Sequence, residues 1–471
     1  MESDGADKKS NRPAVVAPAG SALLASLGVS VANVALPAIA ADLRLSVGAA
    51  QWVVIAYLLA MTISVVTAGR LGDLFGHRRL FLAGAALFTA ASVLCGLAPG
   101  FGALLAARAA QGSGAAILIA LSLPLIRDSA APSRVGQAIG LIGTTSAIGT
   151  ALGPTVGGLL VAGLGWRAVF LALVMPGLIV LVAAMRNLAP AAPATGTRKP
   201  LRASAVDLPG AGLLALALAA FTLAIAPTGF GPSTSALLLV GALTGLAMFF
   251  RAESRHPQPL VRVATLAHPA VAKGLAINAI VASVMMSTLV VGPFYLAGPG
   301  GLHAAAVGLA LGVGPGLAIL TGLPAGRLVD RLGTDAVVRL GLVCMAAGTF
   351  GLAVLPGLFG VLGYLAAIAV LTSGYQLVQA ANGTALMQVA PDGQRGVISG
   401  LVSLSRNVGL LSGASVLGAV FVRAAAGDDV LAGVVTTNLV ALALVAVAIT
   451  LTLRRPLRAY PAAAVQKVEI R

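Results

Sequence analysis

This chain is dominated by a succession of apolar segments, each about 20 residues long and separated by short polar stretches. About 20 consecutive apolar residues form an α-helix long enough to cross the hydrocarbon core of a bilayer. Only 9% of the residues are charged, whereas soluble domains carry about 25%. The pattern therefore predicts an all-α integral membrane protein.

Fourteen apolar segments are candidate spanning helices. They cover residues 20–40, 51–68, 80–98, 102–126, 136–162, 165–185, 207–227, 235–250, 273–297, 303–325, 337–356, 358–389, 397–422 and 431–453. The segments 358–389 and 397–422 are longer than a bilayer requires, so we expect them to tilt or kink.

The basic residues predict the orientation of these segments. With both termini in the cytoplasm, 25 of the 30 bases lie in cytoplasmic loops and tails, and only Arg44, Arg167 and Arg423 lie outside. Arg108 and Arg406 lie well inside predicted spans, away from their ends. Cytoplasmic loops are enriched in Lys and Arg, and the excess of arginine over lysine, 25 to 5, is typical of a GC-rich bacterial genome. We expect a multi-pass protein of the bacterial cytoplasmic membrane.

Two of the polar stretches repeat one charged pattern. Residues 69–80 read GRLGDLFGHRRL, and residues 326–333 read GRLVDRLG. The two aspartates, Asp73 and Asp330, are 257 positions apart. Both stretches lie between apolar segments, which suggests that the chain contains an internal duplication.

A second similarity has nearly the same displacement. Gly136 and Gly140 recur as Gly396 and Gly400, 260 positions later. Two six-helix halves with two helices inserted between them explain both displacements, and parallel repeats of this kind are a known transporter plan. Chance similarity between glycine-rich apolar segments is the alternative.

This organisation divides the chain into seven parts. They are a cytoplasmic N-terminal tail (1–19), an N-terminal six-helix bundle (20–188), a cytoplasmic linker (189–206), two extra helices (207–250), a second cytoplasmic linker (251–271), a C-terminal six-helix bundle (272–453) and a cytoplasmic tail (454–471).

The charged pattern has the chemistry of a conformational latch. Charges beside a membrane need partners, and glycines let two helix ends approach closely. A carboxylate can also face the positive N-terminus of another helix, which is worth ~0.3–1 kcal/mol. A solvated loop that only follows the positive-inside rule is the alternative. The predicted latch residues are Gly69, Asp73, Gly76, Arg78, Arg79, Asp330 and Arg331.

The first charged segment resembles the cytoplasmic signature loop of the major facilitator superfamily in the pattern Gly69-x-Leu71-Gly72-Asp73-x-x-Gly76-x-Arg78-Arg79. The fourth segment resembles that superfamily's fourth-helix motif in Arg108-x-x-Gln111-Gly112. The fifth resembles the motif that marks its antiporters in Gly149-x-x-x-Gly153-Pro154-x-x-Gly157-Gly158. Further patterns are similar to the fourteen-span drug:proton antiporter branch: Asn33-Val34-Ala35-Leu36-Pro37, Gln51-Trp52-x-x-x-x-Tyr57 and Gly165-Trp166-Arg167-x-x-Phe170.

The resemblance implies a major facilitator fold with two pseudo-symmetric six-helix bundles and two inserted helices. It implies a part in proton coupling for Arg108, beside Gln111 of the same motif. Among the carboxylates of the chain, Asp73 is the remaining coupling candidate. It also implies that the glycine- and proline-rich fifth helix seals the two halves against each other. Ordinary packing of small residues and a snorkelling arginine are the alternatives.

One departure from the branch concerns proton coupling. The branch commonly has an acidic residue in helix 1, five positions before the Asn of the Asn-Val-Ala-Leu-Pro pattern, and here that position is Gly28. None of the 14 carboxylates lies in the middle of a predicted span. Proton-coupled export of cations usually relies on such a carboxylate.

Neutral polar residues and two arginines are the candidates for lining a central cavity. Such a wall suits a neutral or anionic amphiphile better than a dication, although each residue can equally join two helices. The main candidates are Ser30, Asn33, Tyr57, Asn278, Tyr375, Gln376, Gln379 and Arg406, with Gln111, Thr144, Thr145, Asn382 and Arg108 as further ones.

We therefore expect a secondary transporter that exports small amphipathic compounds such as antibiotics, driven by the proton gradient and without a cofactor. The chain lacks a Gly-x4-Gly-Lys loop, enzyme motifs and metal-ligand spacing, which argues against an ATP-driven pump, an enzyme and a metal site. We expect a monomer in the lipid bilayer that binds no nucleic acid. A facilitator or anion-linked transporter of the same fold, or a scaffold without transport, is the alternative.

Overall fold

The structure is a computed structural model, and it describes residues 12–129, 135–188, 208–225, 231–255, 263–266, 268–389, 395–425 and 429–454. The predicted linker 189–206 and most of both predicted tails lie outside these ranges. Within them every regular element is helical, as expected for an all-α protein.

The described residues form sixteen α-helices, with a π-helical turn, Gly413–Leu417, before α15. They are α1 (Arg12–Asp42), α2 (Val47–Phe75), α3 (His77–Gly96), α4 (Phe101–Ser129), α5 (Val135–Leu164), α6 (Trp166–Leu171), α7 (Val174–Asn187), α8 (Leu208–Ile225), α9 (Pro232–Glu253), α10 (Val263–Leu266), α11 (Pro269–Ala297), α12 (Ala304–Leu332), α13 (Thr334–Val389), α14 (Arg395–Ser412), α15 (Gly418–Ala424) and α16 (Val430–Arg454).

Eleven helical segments in the described part of the chain are long and apolar enough to cross a membrane. Several helices extend beyond the apolar segments that predicted them. α1 begins at Arg12 although the predicted span begins at residue 20, and α2 continues to Phe75 although its span ends at residue 68. Hydropathy marks the part of a helix that suits hydrocarbon, whereas backbone hydrogen bonding continues into the polar turns at its ends.

The two predicted charged loops are single-residue breaks between helices. Gly76 separates α2 from α3 with φ of 89°, and Gly333 separates α12 from α13 with φ of 81°. The two glycines are 257 positions apart, the same displacement as Asp73 and Asp330. Side chains rarely tolerate such positive φ values, so the repeated glycine fixes the place at which each helix pair bends.

α13 contains a third break of this kind. Gly360 has φ of 55° and ψ of −135°, a conformation essentially confined to glycine. It divides the 56-residue α13 into two helical arms, and these arms match the predicted segments 337–356 and 358–389.

The chain forms two compact units. The first comprises Met1–Leu218 together with His303–Gly312, and the second comprises Ala219–Leu302 together with Val313–Arg471. Within the first unit α1 packs along α5, and α2 and α3 both pack on α4. Within the second unit α11 packs along α14, and α13 packs on α16. Each unit therefore has a long first helix seated against its glycine-rich fifth helix.

Replacing Gly76 with alanine tests the backbone break. No atom lies within 4 Å of a Cβ added there, so the penalty is conformational rather than steric. We expect Gly76→Ala to destabilise the fold by about 1–3 kcal/mol, measured as a lower apparent melting temperature in detergent. Gly69→Ala is the matched control, because its Cβ also meets open space but its backbone is helical. Equal melting temperatures for the two variants would contradict the expectation.

Candidate functional site

Arg108 of α4 is completely buried and is held by oxygen atoms from three directions. Its Nε donates to the carbonyl of Val53 at 2.9 Å, and its Nη1 donates to the carbonyl of Gly28 at 3.0 Å. Nη1 also donates to Oε1 of Gln111 at 2.5 Å. The guanidinium therefore joins α4 to both α1 and α2, which is the interior position expected for a cation at this depth.

Two aromatic rings and a chain of hydrogen bonds complete the surroundings of the Arg108 guanidinium. The guanidinium carbon lies 4.3 Å from the ring centroid of Tyr57 and 5.6 Å from that of Phe170, which are cation–π distances. The Tyr57 hydroxyl donates to the carbonyl of Ala25 at 3.1 Å. Gln111 in turn donates to the hydroxyl of Ser92 at 2.7 Å. Among the residues that the structure describes, dipoles and π-faces rather than a carboxylate therefore surround this charge.

The position at which the antiporter branch carries its helix-1 acid is filled by other side chains. A Cβ on Gly28 would lie 2.9 Å from the Tyr57 hydroxyl and 3.3 Å from the ring of Phe88. The Gly28 carbonyl is also occupied by Arg108. An acidic side chain does not fit here unless these rings move, so the absence of the acid and the packing around Arg108 are consistent with each other.

Substitution of Arg108 separates a structural role from a coupling role. Arg108→Lys keeps the charge, but a single ammonium lacks the planar fork that spans these acceptors. We expect both Arg108→Lys and Arg108→Gln to lower the apparent melting temperature, because each hydrogen bond to a charged group contributes ~1.5–3 kcal/mol. The exposed Arg79 supplies the control variant, Arg79→Lys, which should melt as wild type. Variants of Arg108 with unchanged melting but no transport would favour coupling instead.

The glycines of α5 face α1 at very close range. A Cβ on Gly149 would lie 2.6 Å from the carbonyl oxygen of Leu23, and one on Gly153 would overlap the hydroxyl of Ser30. The Ser30 hydroxyl shares its hydrogen between the carbonyl of Ser26 in its own helix, at 2.9 Å, and the carbonyl of Gly149, at 3.2 Å. Small residues at every fourth position thus allow backbone contact and an interhelical hydrogen bond at the same point.

The same helix presents further glycines to two other backbones. A Cβ on Gly157 would lie 3.1 Å from the carbonyl of Val31 in α1. A Cβ on Gly158 would lie 2.6 Å from the carbonyl of Ala304 and 2.7 Å from Cα of Gly308. Those two residues begin α12 and belong to the first unit. The predicted antiporter motif is therefore a packing surface along its length, including the site of Pro154.

The second unit repeats this contact in residues that the sequence analysis did not single out. The Ser283 hydroxyl donates to the carbonyl of Gly409 at 2.8 Å, and Gly413 lies against the Ser283 carbonyl. Gly409 and Gly413 follow Gly149 and Gly153 by 260 positions. Extending the predicted 260-residue displacement along the fifth helix of each half would have identified them.

Two glycines of α5 provide a matched test of this packing. Gly153→Ala places a methyl group on Ser30, whereas Gly163→Ala places one where no atom lies within 4 Å. We expect Gly153→Ala to cost about 1–3 kcal/mol through overpacking and Gly163→Ala to leave stability unchanged or slightly higher. Thermal melting in detergent measures both, and equal effects would show that the contact is not tight.

The predicted latch residues lie at the helix ends beside the two single-glycine breaks. Arg78 donates from Nη2 to the carbonyl of Met185 in α7 at 3.0 Å, a contact within its own unit. Arg79 is exposed, and so are Asp330 and Arg331 of the second copy. The Asp73 side chain lies outside the described residues, although its backbone is part of α2.

The predicted cavity residues fall into two groups. Ser30, Asn33, Tyr57 and Asn278 are buried. All but Asn33, which donates within α1, make hydrogen bonds between helices, the alternative that the sequence left open. Asn278 shows the arrangement, since its side-chain amide donates to the Val402 carbonyl at 2.9 Å. The second group is more accessible, and consists of half-buried Tyr375, Gln376 and Gln379 with exposed Arg406.

Three further candidates complete the set. Asn382 is buried and donates to the carbonyl of Gly274 at 2.9 Å. Thr145 is bonded to its own helix through the Leu141 carbonyl. The Thr144 side chain lies outside the described residues.

These features define a multi-pass helical membrane protein with a repeated internal architecture, and solved structures show the same fold. A D-xylose–proton symporter superposes with a TM-score of 0.69, covering 95% of this chain and 99% of the other at 14% identity. A peptide transporter of the POT family in complex with alafosfalin gives 0.71, covering 93% and 94% at 17% identity.

The chain belongs to the Major Facilitator Superfamily, whose family profile matches residues 19–414. An uncharacterized transporter of Escherichia coli, YebQ, is 32% identical over 84% of this chain and 85% of its own length. The tetracenomycin C resistance and export protein of Streptomyces glaucescens is 30% identical over 88% and 77%. The multidrug resistance protein Stp of Mycobacterium tuberculosis is 31% identical over 84% and 73%.

Proposed function

We propose that this protein is a secondary active transporter that exports small amphipathic compounds, drugs and antibiotics among them, by proton antiport. The observation that carries the proposal is the similarity, over 84–88% of the chain, to relatives named for multidrug resistance and for tetracenomycin C export. Because the chain belongs to this superfamily, we assign it transport and no enzymatic activity.

The proposal includes fourteen spans in the order predicted from the sequence, with two six-helix bundles at 20–188 and 272–453 around two extra helices at 207–250. Support comes from the helix positions, because each of the fourteen apolar segments overlaps a helix, a helix pair or one arm of α13. We further propose a monomer in the bacterial cytoplasmic membrane with both termini in the cytoplasm, as the distribution of basic residues favours.

In the proposed mechanism one substrate site opens alternately to each side of the membrane. The charged segments around Asp73 and Asp330 stabilise one of the two states, and the single-glycine breaks next to them support this role because they hold each segment at a helix end. The glycine surface of α5 allows close backbone contact in the sealed state. Arg108 and Gln111 organise the bundle interior, and Tyr375, Gln376, Gln379 and Arg406 contact the substrate.

A facilitator of the same fold without proton antiport is the second candidate. The observation that favours it is the packing at Gly28, where Tyr57 and Phe88 occupy the space that a helix-1 carboxylate would need. A scaffold without transport is the third candidate. Measuring dye flux in proteoliposomes distinguishes the antiporter, the facilitator and the scaffold.

Proteoliposomes containing the full chain test the energy source. The probes are Nile red (neutral), fluorescein (anionic) and ethidium (cationic), each followed by fluorescence with and without an imposed pH step. We expect the pH step to accelerate movement of at least one dye and an uncoupler to abolish that acceleration. Flux that ignores the pH step would favour the facilitator, and the absence of flux for all three dyes would favour the scaffold.

The latch is tested by Asp73→Asn, which removes the charge but keeps the size of the side chain. We expect dye flux to fall about fivefold, corresponding to the loss of ~1 kcal/mol from one conformational state, while equilibrium dye binding stays nearly constant. Asp330→Asn should act in the same direction. An unchanged flux in both variants would exclude the latch.

A further inference from the structure

The deepest charges in the described spanning helices are both positive. Arg108 is the eighth residue of α4, and Arg406 is the twelfth of α14. Carboxylates in the same helices occupy only the first or last three positions, namely Asp42, Asp73, Asp128, Glu253, Asp330 and Asp335. In the described helices, the charges far from the helix ends are therefore guanidinium groups, and no described carboxylate lies at a comparable depth.

The two arginines have opposite environments. Arg108 is completely buried, and it already holds two backbone carbonyls and Gln111. Arg406 is exposed. Only Arg406 is thus accessible to a ligand without a rearrangement of its bundle.

The packing of α14 determines the direction of Arg406. Asn278 of α11 donates to the Ser405 hydroxyl at 2.7 Å and to the Val402 carbonyl, and Ser283 donates to the Gly409 carbonyl. Residues 402, 405 and 409 are three and four positions apart, so they share the face that meets α11. Arg406 lies on a neighbouring face, about 40–100° around the helix from these residues, together with Ser399 and Ser403.

The depth of Arg406 requires that this face meets water. α14, the π-helical turn and α15 form one helical stretch from residue 395 to residue 424. At 1.5 Å per residue, Arg406 lies about 16 Å from its start and about 27 Å from its end, which places it inside a hydrocarbon core that is about 30 Å thick. An arginine facing lipid at that depth costs at least ~2.5 kcal/mol, so an exposed one belongs beside a hydrated path.

The accessible polar groups of α13 add hydrogen-bond donors and no charge. Gln379 donates to the Tyr375 hydroxyl at 2.8 Å, which leaves the hydroxyl hydrogen of Tyr375 available to another acceptor. Both side chains are only half-buried, as is that of Gln376. A guanidinium on α14 and neutral donors on α13 each favour a molecule that carries an oxyanion.

We propose that Arg406 recognises an anionic group on the transported molecule, so that the substrates are amphipathic organic anions. The planar guanidinium matches a carboxylate or sulfonate through two parallel hydrogen bonds. The inference rests on the proposed export function, since it identifies the substrate class of that same site. It also assigns different roles to the two arginines, with the buried Arg108 as a positioning residue.

The dye panel in proteoliposomes tests this assignment. We expect wild type to bind and move fluorescein in preference to ethidium, and Arg406→Gln to reduce both fluorescein binding and flux at least about tenfold. Arg406→Lys should retain part of the activity, because it keeps the charge but loses the planar fork. Arg406→Glu should shift the preference towards ethidium.

Arg423→Gln is the matched control, because Arg423 is also an exposed arginine but lies at the end of α15. This variant should bind and move the dyes as wild type does. The melting temperature of every variant verifies that it is folded. Wild-type fluorescein flux in Arg406→Gln would overturn the role of Arg406 and leave the export function intact. Movement of ethidium but not fluorescein by wild type would overturn the substrate class alone. The absence of binding and flux for all three dyes would overturn the proposed function and this inference with it.

Discussion

Helices in a bilayer gain little by burying apolar side chains against each other, because lipid tails are equally apolar. Close backbone approach and hydrogen bonding must therefore hold each unit together, and one contact between a serine hydroxyl and a glycine carbonyl provides both. Ser30 makes it to Gly149, and Ser283 makes it to Gly409. In the first unit, the same contact holds α1 in the register that places the Gly28 carbonyl at Arg108.

Beyond this contact the two copies distort the same stretch of helix by different means. Residues 153–157 contain Pro154, which lacks an N–H and so frees the carbonyl four positions earlier. The corresponding residues 413–417, 260 positions later, contain Ala414 instead and form a π-helical turn. π-Turns insert one extra residue into the hydrogen-bonding pattern. The proline and the π-helical turn both weaken regular α-helical hydrogen bonding just beyond the serine contact. The two halves therefore share the position of the irregularity but not its chemical cause.

The sequence predicts the elements better than it predicts the surroundings of individual side chains. Hydropathy locates the helices because a spanning segment must be apolar along about 20 residues. It does not show that the signature segment is almost entirely helical, since that depends on a single positive φ at Gly76. It also does not separate Arg108 from Arg406, which have the same side chain at similar depth. Their burial is decided by which neighbouring backbone faces them, and that information comes only from the packing of α1, α2 and α11.

The separation of the two arginines limits where a transported proton can be carried. A guanidinium does not release its proton under physiological conditions, so Arg108 can order its surroundings but cannot act as the carrier. The carboxylates in the described helices lie near helix ends rather than at mid-depth. Proton antiport in this chain would therefore use groups at the membrane surfaces, or a titratable group on the transported molecule itself. An organic anion that is a weak acid would supply such a group, which links the charge recognised at Arg406 to the missing carboxylate at Gly28.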